Sequence, residues 1–278
     1  MDFARTIRSH GCTSLPPAIS GGDDGSYRVM LRLAGNRVVT TFRVQGNDLV
    51  PEAERALRRG ELVDLEDIIY RMFRLDEDFS PFYAMVANDP QLAWVRTGAG
   101  RMMCSPTVFE DVVKTICTTN CAWSGTERMV GALASGLGGG AFPEPGEMAK
   151  APLSFYTDVA RAGYRGPYLR DLAKAVDGGK LDLEILRRQG GLSDDEVEKR
   201  LLAINGVGPY ACAHIMMLLG RYRRLVLDSW TRPTYLRFAG KRRSKDSSIE
   251  RSFKRYGDFA GLAFWLFVTK DWLEVAAG

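Results

Sequence analysis

The chain has 278 residues, 45% of them apolar and 26% charged, with a formal charge of +4; this balance excludes a disordered tail or a fibre and allows one large folded unit or two coupled ones. No apolar run approaches the roughly 18 residues of a membrane helix, the longest candidate being 263–268. No apolar core follows the first charges of Met1-Asp2-Phe3-Ala4-Arg5-Thr6, so neither a secretory leader nor a disulfide framework is expected.

Near the start, Leu15-Pro16-Pro17 and the glycine-rich 21–25 read as loops. Residues 27–33 and 37–45 are rich in Val, Thr, Tyr and Phe around Ala34-Gly35-Asn36, which predicts a β-hairpin with a short glycine turn. Beyond it the apolar spacing is helical to the end. Ser105-Pro106 resembles a cap followed by proline at the first helical position, and Val108, Phe109, Val112, Val113, Ile116 and Cys117 then recur at helical spacing. Thr118-Thr119-Asn120 replaces packing groups by hydrogen-bonding ones, either a capped helix end or the beginning of a functional edge. The next helix is expected over 124–137, stopped by Gly138-Gly139-Gly140, with Pro143 and Pro145 prolonging the loop. The elements divide at 1–60, a β-rich part; 61–140, a first helical part; and 141–278, a second. The fold class is mainly α (α+β), with two helical subdomains and a small N-terminal antiparallel β element.

Ser193-Asp194-Asp195-Glu196 is a capping box before Val197, Leu201, Leu202 and Ile204, predicting a helix over 194–204. Asn205-Gly206-Val207-Gly208 then supplies a turn with two glycines able to take positive φ, and Pro209 restarts a helix that runs to Gly220. Small residues at a helix N-terminus expose backbone N–H groups where the dipole favours an anion, so the hairpin suits a phosphate; the bland reading is an αα-corner. Residues 221–255 carry twelve Lys/Arg against Asp228, Asp246 and Glu250, more positive charge than the whole chain sums to. A polyanion is the natural partner, and a solvated surface the alternative. Within that stretch Val226-Leu227-Asp228-Ser229-Trp230-Thr231-Arg232 places one acid after two apolar residues, suited to stabilising a transient cation or activating water, or merely to capping a helix.

Five cysteines, at 12, 104, 117, 121 and 212, form no C-x-x-C pair, and His10 and His214 are the two histidines. No metal is therefore expected, and the chemistry should rest on carboxylates, hydroxyls or amines.

Leu202-Ala203-Ile204-Asn205-Gly206-Val207-Gly208-Pro209-Tyr210-Ala211 followed by Val226-Leu227-Asp228 resembles the helix-hairpin-helix and aspartate of the DNA glycosylase superfamily, in its 3-methyladenine and 8-oxoguanine branch. Ser105 to Asn120 is similar to the helix entering the DNA-inserting loop. Gly163-Tyr164-Arg165-Gly166-Pro167-Tyr168 and Tyr256-Gly257-Asp258-Phe259-Ala260-Gly261 are similar to further segments, so the resemblance covers about 65–275. It implies a cleft that binds duplex DNA and flips a damaged or modified base, whose N-glycosidic bond breaks with Asp228 stabilising the cation or positioning water.

Bifunctional members carry a Schiff-base lysine where this chain has Tyr210, so the resemblance implies hydrolysis without strand cleavage, Tyr210 stacking in the base pocket. Phe264 falls where 8-oxoguanine enzymes read the base with glutamine, which favours alkylated purines; Trp230 completes the expected pocket. DNA contacts are expected from Asn120, in the gap left by the flipped base, and from Asn205, Gly206, Val207, Gly208 and Arg232. Pro233, five residues beyond Asp228, implies a helix that starts late or kinks. With no cysteine after Cys212, the iron–sulfur members are excluded. No cofactor is implied beyond a structural monovalent cation at the hairpin. A monomer in the cytoplasm, associated with the nucleoid, is expected. Mismatched uracil or thymine, oxidised guanine and bulky modified phage bases stay open as substrates, as does a non-catalytic module that binds distorted DNA.

Overall fold

The computed structural model describes residues 1–21 and 25–274, so the loop expected at 21–25 lies partly outside the described residues. Four strands, β1 (Ala18–Gly21), β2 (Tyr27–Leu33), β3 (Asn36–Gln45) and β4 (Asp48–Ala53), form one antiparallel sheet in chain order. The predicted hairpin is the β2–β3 pair, with Leu33 opposite Asn36. The outer strands are an addition to the sequence reading. Each is short, and β4 contains Pro51, which an edge strand tolerates because its missing N–H faces away from the ladder.

Thirteen α-helices follow the chain among the described residues: α1 (Phe3–Ile7), α2 (Arg59–Met72), α3 (Ser80–Val86), α4 (Val108–Thr118), α5 (Trp123–Gly136), α6 (Pro145–Lys150), α7 (Arg165–Asp177), α8 (Asp194–Leu202), α9 (Pro209–Leu218), α10 (Thr231–Phe238), α11 (Asp246–Phe253), α12 (Ala260–Val268) and α13 (Lys270–Glu274). The chain is thus mostly helical beside one small sheet, as its pattern implied. Among the described residues, no helix is long and apolar enough to cross a membrane.

Two starts differ from expectation. Helix α4 is capped by Thr107, whose Oγ1 accepts from the Glu110 amide, and not by Ser105. The Ser105 amide instead donates to Asp111 Oδ1 at 2.8 Å, which holds the entering chain outside the helix. Pro145 opens α6 and does not extend the loop before it, because its fixed φ suits the first helical position.

Three apolar cores organise the elements. The sheet packs against α1 and α2 through Leu31, Leu33, Phe42, Leu65 and Phe73. A second core joins α4 and α5 to α7, α8 and α9, with Cys12 and Leu15 inserted from the N-terminal segment. The third joins α3 and the C-terminal part of α9 to α10, α11 and α12. Helices on either side of residue 140 share the second core, and α9 belongs to both of the last two. The hairpin helix is therefore the element on which the two helical groups meet.

Helix α12 reaches that junction because its first turn lies directly on backbone. The Gly261 amide donates to the Tyr222 carbonyl at 2.7 Å, and a Cβ at Gly261 would fall 2.0 Å from the Arg224 carbonyl oxygen. Overpacking of this kind has no flexible neighbour to displace. Gly261→Ala is expected to destabilise the protein by about 2–3 kcal/mol or more, read as a lower urea midpoint in equilibrium unfolding; an unchanged midpoint would contradict the packing.

Candidate DNA-facing active site

The hairpin starts from the capping box the sequence announced: Ser193 Oγ accepts from the Glu196 amide, and the Glu196 carboxylate accepts from the Ser193 amide at 2.9 Å. After α8 the two glycines have different reasons to be glycine. Gly206 has φ +92°, and a Cβ there would lie 3.1 Å from the Tyr168 ring. Gly208, equally able to take positive φ, has φ −94° and caps α9 in extended backbone. A Cβ at Gly208 would meet nothing within 4 Å. Neither conformation nor internal packing requires glycine at this exposed position, which leaves close approach by an outside group as the physical use for it.

Asn205 is exposed beside it. Val207 departs from the expected contact set: its side chain is buried in the second core and its amide donates to the Ile204 carbonyl at 3.0 Å. The first-turn amides of α9 have no intrahelical partner and carry the positive end of the dipole.

Asp228 lies at the end of the loop from α9 to α10, half-buried. Its Oδ1 accepts from the Trp230 amide at 2.8 Å and the Thr231 amide at 2.6 Å, while its own amide donates to Thr231 Oγ1 at 2.8 Å. One oxygen is thereby fixed, and Oδ2 accepts no hydrogen bond found among the described residues. Helix α10 starts at Thr231, the late start that Pro233 implied; the proline falls in the first turn, where an N–H would have no helical partner.

A row of rings connects α9 to α12 and α13. Tyr210 lies 6.1 Å from His214 between ring centres, His214 stacks on Trp265 at 5.9 Å, and Trp265 lies 6.2 Å from Trp230, which rests 4.7 Å from Trp272. The Tyr210 hydroxyl shares a 3.3 Å hydrogen bond with Thr118 Oγ1. Burial, with a contribution from the Asp228 charge, pushes that phenol up to about 12, so it is neutral at physiological pH.

Phe264, expected in the pocket, is fully buried in the third core, 5.3 Å from Phe253 and 6.2 Å from Tyr235. Successive helical residues point about 100° apart, and it is Trp265 that meets His214 and Trp230. This is a correction of one position. Helix α12 is apolar all round, so no stripe in the sequence marked which face would meet α9.

Asn120 is exposed at the end of α4 with φ +46°, a left-handed conformation uncommon outside glycine, and its Nδ2 donates to the Tyr164 hydroxyl at 3.2 Å. Arg165 holds the loop from below: its guanidinium donates to the Thr119 carbonyl and, at 3.3 Å, to Thr119 Oγ1, and lies 4.5 Å over the Tyr164 ring. That brace is a residue the sequence reading quoted within a motif without assigning it work.

The basic stretch is only partly a surface. Arg221 is buried and donates to the Leu186 and Arg187 carbonyls and to Asp194 at 2.7 Å. Arg224, Arg237 and Arg255 pair with Glu198, Asp271 and Asp89, and Arg232 makes a bidentate pair with Asp246 at 2.8 Å. Lys241, Arg242, Arg243 and Lys245 are exposed before α11. The fold also brings His214 to His10 and Cys12, three side chains able to hold a metal, all buried.

No family model matches the chain. A probable N-glycosylase/DNA lyase of Methanothermobacter thermautotrophicus is 25% identical over 93% of this chain and 89% of its own. Among solved structures, MBOgg1 in complex with a low-affinity DNA ligand superposes with a TM-score of 0.76 at 22% identity, over 98% of this chain and 93% of that one. The 3-methyladenine DNA glycosylase of Archaeoglobus fulgidus gives 0.75 at 17% identity, over 98% and 96%. The frame is that of the DNA glycosylases. The fold is shared with these DNA glycosylases, and the relatives found by sequence carry names of the same kind.

Gly208→Ala separates ligand space from folding. The unfolding midpoint should stay within a few tenths of a kcal/mol to about 1 kcal/mol of wild type, while duplex affinity in fluorescence anisotropy falls about tenfold; unchanged affinity would mean that no phosphate approaches this cap.

Proposed function

We propose that the chain is a monofunctional DNA N-glycosylase that flips an alkylated purine from duplex DNA and hydrolyses its N-glycosidic bond. The single observation that carries the reading is the arrangement at Asp228: a carboxylate fixed by one oxygen, with the other uncommitted, beside a row of rings that begins at Tyr210. In this reading the α9 amides and the exposed basic residues before α11 hold the phosphate backbone, which fixes position without reading sequence. The cleft between the helical groups receives the duplex, and Asn120, with its neighbour Tyr164, occupies the gap left by the extruded nucleotide. Tyr210 and Trp230 bound the base pocket, with Trp265 taking the place first given to Phe264.

As the bond breaks, its electron pair leaves with the base and positive charge develops on the sugar. The Asp228 carboxylate stabilises that cation, and water adds to C1′ to give an abasic site. Electron-poor alkylated purines stack favourably on an aromatic surface, and a neutral phenol at Tyr210 forms no imine with the sugar. A relative carries the name of a glycosylase/lyase; the side chain at Tyr210 is the reason to separate this chain from that second activity. In this reading the protein acts as a monomer on double-stranded DNA and needs no cofactor beyond a structural monovalent cation at the hairpin.

Asp228→Asn keeps an oxygen for the Trp230 and Thr231 amides, so folding and duplex binding should persist within about threefold, whereas release of alkylated base falls by about a thousandfold or more. Duplexes carrying alkylated, oxidised, mismatched or bulky modified bases are incubated with wild type and free base is measured. Release from alkylated purine with strand breaks only after alkali supports the proposal. Borohydride trapping of a covalent adduct, or breaks without alkali, would refute the monofunctional assignment, and binding without base release from any duplex would favour a non-catalytic lesion-binding module.

A further inference from the structure

Two histidines and one cysteine separated by up to 204 positions meet in the interior. His10 and Cys12 flank Gly11 in the turn that precedes the sheet, and His214 projects from the middle of α9. That turn is fixed from outside: Trp265 Nε1 donates to the Ser9 carbonyl at 2.8 Å, and Ser9 Oγ accepts from the Met103 amide at 3.0 Å. His10 and His214 face each other edge to face at 5.6 Å, each 4% exposed.

Three of their four ring nitrogens find no hydrogen-bond partner in the protein. His10 Nε2 lies 2.6 Å from the Met103 carbonyl, an oxygen that only accepts, so this nitrogen carries the proton and Nδ1 presents a bare lone pair. That Nδ1 is buried without a hydrogen-bond partner, as are both ring nitrogens of His214. Buried polar atoms are rarely left this way. The arrangement at His10, one nitrogen donating to a main-chain carbonyl and the other turned inward, is the outer-shell pattern that orients a metal-bound imidazole. One ligand atom each from His10, Cys12 and His214 lies within 4.8 Å of the others, about 1 Å beyond the edge of a zinc tetrahedron with bonds of roughly 2.0–2.3 Å.

We propose that His10, Cys12 and His214 bind one zinc ion through two imidazole nitrogens and a thiolate, with water in the fourth position. The ion ties the N-terminal turn to the hairpin helix. Binding breaks the Cys12 S–H bond, forms the Zn–S bond and releases the proton to solvent. The imidazoles bind through bare nitrogen lone pairs, and zinc displaces the proton of the Cys12 thiol. The surrounding charge is mixed. Lys114 and Arg74 oppose a cation, but each is paired, with Glu110 at 2.7 Å and Glu77 at 2.6 Å, and Asp111 adds a negative charge near Cys12. A cluster of one thiolate and two imidazoles suits zinc better than magnesium or calcium, which prefer oxygen.

The test uses the full chain and is independent of which base is excised. Protein purified and dialysed against metal-free buffer should retain close to one zinc per chain by mass spectrometry. The chelator-stripped protein, titrated with Co2+, should saturate at one equivalent, with a thiolate-to-cobalt charge-transfer band in the near ultraviolet and visible bands of a tetrahedral site. Added Zn2+ should raise its melting temperature by several degrees. Cys12→Ser should abolish the charge-transfer band, His214→Gln should weaken Co2+ affinity at least tenfold, and Cys121→Ser, at an exposed cysteine, should change neither. If a ligand variant fails to fold, the stripped wild type decides. No band, no one-to-one saturation and no thermal shift overturn the proposal, and so does a charge-transfer band that survives in folded Cys12→Ser or vanishes in Cys121→Ser.

Discussion

One carboxylate oxygen shared by two amides sets the terms for the rest of this molecule. Asp228 Oδ1 holds the Trp230 and Thr231 amides, Thr231 Oγ1 holds the Asp228 amide, and the start of α10 is closed by that exchange. A side chain that both caps a helix and keeps an oxygen uncommitted is held in one orientation by the fold itself, with that oxygen left open to an outside group. The late start of α10 at Thr231 makes the adjacent Pro233 harmless, and the backbone bond between Gly261 and Tyr222 brings α12 to the same corner.

Around that point the structure combines two kinds of support. The apolar cores meet on α9, so the hairpin that faces outward is backed by packed side chains on both flanks. The polar supports are few and specific: Arg165 under the Thr119 backbone, Arg221 under the start of α8, and Trp265 on the Ser9 carbonyl. Within 221–255, Arg221, Arg224, Arg237 and Arg255 pair with Asp194, Glu198, Asp271 and Asp89, acids from outside the segment, so its net positive charge overstates the field available to a polyanion.

Local signals made much of this legible. The capping box at Ser193, the glycine turn before Pro209 and the β2–β3 hairpin depend on residues a few positions apart, and each appears where its pattern placed it. Asp228 stood out because it follows two apolar residues inside a basic run. What the sequence did not disclose depends on tertiary direction. The fully apolar α12 gives no stripe, so Phe264 and Trp265 were not distinguishable by periodicity. Ser105 matched a cap by type, but its amide was drawn to Asp111. His10, Cys12 and His214 form no motif because their proximity is produced by packing between the first turn of the chain and a helix near its far end.

The anchor at Gly261 also limits how this architecture can diverge. The span from Tyr222 to Asp228 is pinned at one end by the Gly261 amide and at the other by the closure of α10. Removing a single residue from it withdraws up to about 3.5 Å of reach, enough to lift the carboxylate off its station. Exchanging an aromatic side chain of the row leaves both ends of that bridge in place, whereas shortening the bridge moves the carboxylate itself.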